Sequence, residues 1–174
     1  QPLFILNQDI EVRSLIVTSI EEVTINLNGH TITTSENLSA AIGRVQFTGE
    51  GGIILKDENA GVNGISGSLE SFANIDLTID YSNGSVAEIS SDSKFRSINV
   101  DNGTLRVVRG AVNTPELRLN NQSKLEVVEG ELEISSAFVI GSEASVFTDN
   151  SIIKFNGEAS VNGGEQLGSA DLEV

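Results

Sequence analysis

The chain has 174 residues and a net charge of −15, and it contains no cysteine. That length suits one domain with a sizeable core. The acidic balance argues against nucleic acid and anionic membrane surfaces as partners, and the lack of cysteine excludes disulfides and thiolate metal sites.

No window combines helical periodicity with caps, and no stretch is apolar enough for a membrane-spanning helix, so the expectation is an all-β chain without membrane insertion. Residues 1–44 read as an opening or capping layer of a single domain, 1–174. Within that layer Leu3-Phe4-Ile5-Leu6 and Leu15-Ile16-Val17 are short apolar runs. Val23, Ile25 and Leu27 then share one face, Asn28-Gly29 turns the chain, and Ile32 re-enters the core. From 45 to 174 the pattern predicts stacked rungs. Val45-Gln46-Phe47 and Ile53-Ile54-Leu55 read as strands, with loops at Gly49–Gly52 and Asn59–Gly67. The Gly-rich loop precedes neither a helix nor Lys-Ser/Thr, which argues against phosphate binding.

From Leu77 onward one pattern returns about every 20 residues, the spacing of a stacked repeat. Alternating triplets open each unit: Leu77-Thr78-Ile79, Ile98-Asn99-Val100, Leu117-Arg118-Leu119, Phe138-Val139-Ile140 and Ala159-Ser160-Val161. Behind them come turns at Asn83-Gly84, Asn102-Gly103, Asn120-Asn121, Gly141-Ser142 and Asn162-Gly163, with Asn63-Gly64 one repeat earlier. Second runs then place Leu105, Leu125 and Val146 in an inward column and Arg106, Glu126 and Phe147 in an outward one. One such unit cannot bury its apolar face alone, whereas stacked units can. Asn and Gly tolerate positive φ at a sharp corner, and Asn83, Asn102 and Asn121 are placed to stack as a side-chain ladder. Ordinary hairpins in a sandwich are the competing architecture, but hairpins require no fixed period.

The stretch Val23-Thr24-Ile25-Asn26-Leu27-Asn28-Gly29-His30-Thr31-Ile32-Thr33 resembles the signature near the start of right-handed parallel β-helix proteins of the pectate-lyase-like class. The resemblance implies a right-handed parallel β-helix. It also implies a context among bacterial surface proteins, polysaccharide-cleaving enzymes, or phage fibres, tailspikes and capsid-attached proteins. It implies little about activity.

Chemistry is sparse. His30 is the only histidine, so a Ser-His-Asp site or most catalytic metal sites would have to use it. Its place beside a turn reads as structural. Carboxylates are the better catalytic candidates: Asp76 and Asp80 share a strand face, and Asp80 and Asp101 lie one repeat apart. The alternative is that outward positions must be polar, and in an acidic chain many will be Asp. Tyr81 and Phe147 are the candidate sugar platforms in a chain without Trp. Val108 and Val128 either turn into the core or form an apolar stripe for a trimer or larger homo-oligomer. Asp171-Leu172-Glu173-Val174 presents an open edge, closed by the last rung, by further chain or by another subunit. The expectation is a non-catalytic structural or adhesive module displayed outside the cell, on a cell surface or on a virion. It would hold no cofactor or metal and would have surface polysaccharide as a candidate partner. The alternatives are a polysaccharide lyase or hydrolase, or a carbohydrate-binding module.

Overall fold

The computed structural model describes residues 1–34, 44–59, 65–66, 68–71, 74–82 and 84–174. Asn83, Asn63-Gly64 and most of the 59–67 loop lie outside the described residues. Within them the chain winds into a parallel β-solenoid of about 7 turns, with roughly 21 residues per rung. One long sheet runs β1 (Leu3–Ile5), β4 (Glu22–Asn26), β7 (Gly52–Asp57), β10 (Asp76–Tyr81), β13 (Ser97–Asn102), β15 (Ala111–Leu119), β17 (Glu131–Ile140), β19 (Ile152–Phe155) and β21 (Leu172–Glu173). To it β12 (Ser93–Lys94) adds beside β15, and β20 (Ser160–Asn162) beside β17. A second sheet stacks β11 (Val86–Ile89), β14 (Thr104–Val107), β16 (Lys124–Val128) and β18 (Ser145–Asp149). The early coils are closed by β2 (Ile10–Val12), β5 (Ile32–Thr34) and β8 (Ile65–Ser66), and by β3 (Leu15–Ser19), β6 (Arg44–Gly49) and β9 (Ser68–Ser71). No α-helix occurs among the described residues; Gly164–Leu167 is a single 3-10 turn.

Alternation does the folding. In β4 the run Val23-Thr24-Ile25 is rich in β-branched residues, which suit a pleated half-buried surface, and it buries Val23 and Ile25 while Thr24 faces outward. Parallel register then puts like on like. One inward column reads Phe4, Ile25, Leu55, Ile79, Val100, Leu119, Ile140. Its neighbour reads Val23, Ile53, Leu77, Ile98, Leu117, Phe138, Val161. The middle members of both are fully buried. Each such side chain contributes about 1.5–3 kcal/mol relative to exposure, so the stack is held by its columns rather than by any one contact. The expected column Leu105, Leu125, Val146 and its outward mate Arg106, Glu126, Phe147 form as read.

Two features depart from simple alternation. Ala111-Val112 and the triplet Leu117–Leu119 belong to one continuous strand, β15, whose pairing with β17 shifts register between Thr114 and Glu116. Pro115 sits at the shift, exposed; it offers no N–H to the ladder, so a bulge is where a strand accommodates it. The second departure is Asp57, which occupies an inward position opposite Tyr81 and is fully buried. Its Oδ1 accepts the Gly29 N–H at 2.9 Å, which fixes the Asn28-Gly29 corner from inside the core.

The corners use the expected chemistry: Asn28, Gly29, Gly84, Gly103 and Asn121 all have positive φ. Gly103 is doubly constrained, because at φ +88° a Cβ would also lie 2.8 Å from Tyr81 Cβ and 2.8 Å from the Ser85 carbonyl. Gly84 has φ +83° but nothing within 4 Å. Gly103→Ala is therefore expected to destabilise by about 2–4 kcal/mol, from strain plus overpacking. Gly84→Ala should cost only about 1–2 kcal/mol. Urea unfolding of the two variants checks this, and equal losses would remove the packing contribution.

Candidate functional site

The acids singled out by sequence sit on β10 and at the corner behind it. Asp76 and Asp80 both face outward with Thr78 between them. Four residues along a strand separate their Cα atoms by about 13 Å, beyond the roughly 5–10 Å that a pair of glycosidase carboxylates requires. Asp76 is already engaged. Arg96 grips it with two guanidinium nitrogens, Nε at 2.9 Å from Oδ1 and Nη2 at Oδ2, and the Ser97 hydroxyl donates to Oδ1 at 2.6 Å. Arg96 Nη1 also reaches the Glu50 carbonyl at 3.2 Å, so one side chain ties three successive coils.

Asp80 and Asp101 do not stack as a like-charged pair. The register between β10 and β13 shifts after Ile79, so Asp80 lies opposite Asn102 rather than Asp101. Asn102 Nδ2 donates to Asp80 Oδ1 at 2.8 Å, and Asn120 Nδ2 donates to Asp101 Oδ1 at 2.7 Å. Asn121 Nδ2 adds a bond to the Asp101 carbonyl at 2.8 Å. The anticipated Asn-on-Asn ladder through Asn102 and Asn121 gives way to Asn on Asp: the Asn102 and Asn120 amides serve carboxylates of the preceding coil, and the Asn121 amide serves a backbone carbonyl there. In the earlier coils the amide pairing does occur, with Asn59 Nδ2 donating to Asn28 Oδ1.

The aromatic platform does not assemble. Tyr81 follows Leu77 and Ile79 on the inward face of β10 and is fully buried, because alternation from those two residues carries it into the core. Phe147 is 56% exposed, on the outward column after Glu126. Val108 and Val128 are half-buried, neither core nor open stripe. His30 Nδ1 lies 3.3 Å from Asp9 Oδ1, and its backbone N–H closes the corner onto the Leu27 carbonyl. His30→Gln should leave the far-UV spectrum and the unfolding midpoint within about 0.5 kcal/mol of the parent; a loss of several kcal/mol would assign His30 a structural load that its contacts do not predict.

The outer wall carries open depressions, among them one of about 540 Å³ beside Gly130, Glu131, Asn150, Ile152 and Asp171. One of about 200 Å³ lies at the corner formed by Ser82, Asn102, Gly103, Gln122 and Lys124. Another of about 290 Å³ lies beside Lys94, Pro115 and Glu133. Among the described residues no three His, Cys, Asp or Glu side chains converge as a metal site would need. What the outer wall does have is coil-to-coil ion pairing: Arg106 to Glu126 at 2.6 Å and to Glu88 at 3.8 Å, and Lys154 to Glu131 at 3.0 Å. The Arg96 partnership was missed from sequence, and the signal was there: Arg96 and Ser97 follow Asp76 by one coil length, and the period read from apolar residues applies to polar ones too.

These contacts shift titration. Hydrogen bonds from Arg96 hold the Asp76 carboxyl below its ordinary value of 3.8, outweighing burial, with the Ser97 hydroxyl adding to the effect. The paired carboxylate of Glu126 raises Arg106 in turn. A lowered carboxyl contributes stability that is present above pH 3.8 and disappears as pH falls through the folded value. Asp76→Asn should therefore melt below the parent at neutral pH, with the gap closing as the solution is acidified past that window. Melting curves from neutral pH into strong acid test it; a gap that stays constant would mean that the ion pair contributes nothing.

No family model matches the chain, and no significant match is found among curated proteins or among solved structures. The parallel solenoid stands on the structure alone, and the pectate-lyase-like resemblance of residues 23–33 remains an expectation.

Proposed function

We propose that this solenoid is a non-catalytic structural or adhesive module, a stiff acidic rod displayed on a cell surface or a virus particle. The observation that carries the reading is the use made of the polar residues. Asp76, Asp80 and Asp101, the acids best placed for catalysis, each accept hydrogen bonds from the next coil. A general acid needs a carboxyl held above its usual range, and Asp76 is held below it. The pectate-lyase-like resemblance, with its surface and phage relatives, supports the exterior setting. The chain's lack of Cys, Met and Trp suits an oxidising exterior.

A carbohydrate-binding role is the second reading, favoured by the exposed ring of Phe147 alone. A panel of neutral and acidic polysaccharides separates the readings. The structural module releases neither unsaturated products nor new reducing ends from any of them. A product whose formation is abolished by Asp80→Asn, in a variant that still folds, would replace this reading with an enzyme. Retention on one polysaccharide that Phe147→Ala removes would replace it with a binding module.

A further inference from the structure

Asparagine followed by glycine is a reactive pair as well as a turn. With no side chain in the way, the glycine amide nitrogen can close a five-membered ring on the asparagine carboxamide. Four such pairs lie among the described residues: Asn28-Gly29, Asn102-Gly103, Asn156-Gly157 and Asn162-Gly163. The fold holds three of them. At the first the nucleophile is occupied: the Gly29 N–H donates to buried Asp57 at 2.9 Å, and the Asn28 amide donates to the Leu6 carbonyl at 3.1 Å. At the second the Asn102 amide is tied to Asp80 at 2.8 Å, and Gly103 is boxed in by Tyr81 and Ser85, so the backbone has no room to pivot. At the third Asn162 lies in β20 opposite Val139, and Gly163 is backed onto the Ile140 carbonyl, where a Cβ would collide. The fourth is different. Asn156 and Gly157 lie at the corner between β19 and β20, and both are exposed. Among the described residues neither the Asn156 carboxamide nor the Gly157 N–H has a hydrogen-bond partner. A Cβ on Gly157 would meet nothing within 4 Å, so this corner has room to move.

We propose that Asn156 is a self-modification site, where the carboxamide converts spontaneously to a carboxylate while the fold protects the other three pairs. The reagents are the chain's own Gly157 nitrogen and water. Hydroxide removes the Gly157 amide proton, and the nitrogen attacks Asn156 Cγ. A C–N bond forms, the Cγ–Nδ2 bond breaks, and Nδ2 leaves as ammonia with a proton from water. Water then opens the ring at one of its two carbonyls. Opening at Cγ leaves aspartate. Opening at the main-chain carbonyl leaves isoaspartate, in which the chain runs through Cγ and is one atom longer. In sum, carboxamide and water become carboxylate and ammonium, and no oxidant takes part. Attack requires a deprotonated and unpaired glycine nitrogen. Amide hydrogen exchange has the same requirement, so a hydrogen-bonded amide reacts only through local opening.

The corner transmits the change. The Asn156 N–H donates to the Ile134 carbonyl at 3.1 Å, and the Asn156 carbonyl accepts the Ala159 N–H at 2.7 Å. Isoaspartate turns that carbonyl into a free carboxylate and lengthens the link to β20. That strand is held to β17 through Ala137, Phe138 and Val139. A chain already at −15 gains one more negative charge, and β20 loosens from the sheet. The reaction is independent of whatever the outer walls bind.

Ageing the whole chain at mildly alkaline pH, followed by peptide mapping with mass spectrometry, reads the conversion of amide to acid at each pair. Chromatography separates aspartate from isoaspartate. In the folded protein Asn156 should convert at least about tenfold faster than Asn28, Asn102 or Asn162. In urea the four rates should converge, because each is then an unheld Asn-Gly pair. Asn156→Gln should keep its amide over the same period, since glutamine must close a larger ring. Hydrogen exchange of residues 157–162 should be faster in the aged protein than in the fresh one, and should stay unchanged in aged Asn156→Gln. Equal rates at the four pairs of the folded chain, or a faster rate at another pair, overturn the proposal. The same order persisting in urea also overturns it, by assigning the preference to local sequence instead of the fold. Unchanged exchange in a chain that has formed isoaspartate overturns the loosening of β20.

Discussion

The structure depends on one constraint: each residue must meet its equivalent one coil away, across a parallel ladder of about 4.8 Å spacing. Column residues such as Leu77, Ile98 and Leu117 have no other way to leave water, since a lone coil encloses no interior. Corners are subordinate to that demand. Gly103 is held at positive φ with no room for a Cβ because the chain must turn at that point to bring β14 under β11. Fully buried Asp57 accepts the Gly29 N–H on Oδ1 and so holds an early corner that the ladder needs closed, while its Oδ2 has no hydrogen-bond partner among the described residues. Stability in such a stack is close to a sum of nearest-neighbour terms, so no central residue dominates it.

Much of the architecture was legible because the period is the fold. Alternation in Leu105–Val107 and Leu125–Val127 assigned faces without ambiguity, and their spacing assigned partners. What was not legible came from places where the period slips. Asp80 and Asp101 read as stacked because the numbering says so, but a bulge after Ile79 advances the partner strand by one and substitutes an amide. The register shift at Pro115, where β15 and β17 fall out of step between Thr114 and Glu116, was not legible either. Bulges depend on backbone fit between two particular strands, and neither strand announces them alone.

The candidate sites were less legible, and the reason is physical. An outward Asp on a strand has the same sequence signature whether it binds sugar, moves a proton or receives a neighbour's amide. Only the partner distinguishes these uses, and the partner lies about 21 residues away. Tyr81 illustrates the converse: it was read as a surface ring, yet it continues the inward parity of Leu77 and Ile79. Counting parity from the strand's own apolar residues would have placed it correctly.

The outward columns also bear on how the coils find their proper order. Inward columns of Ile, Leu and Val are nearly interchangeable, so apolar burial alone would tolerate a stack that skips a coil. The polar columns would not. Glu88, Arg106 and Glu126 alternate in sign along one of them, and looping out the middle coil would set Glu88 beside Glu126. Along another, Glu133, Lys154 and Glu173 do the same, and the equivalent slip would set Glu133 beside Glu173. Like charges directly opposite are destabilising, so each of these slips is penalised at the column whose middle charge it removes. Exposed ion pairs that add little to the finished fold thereby act as an addressing system while it assembles.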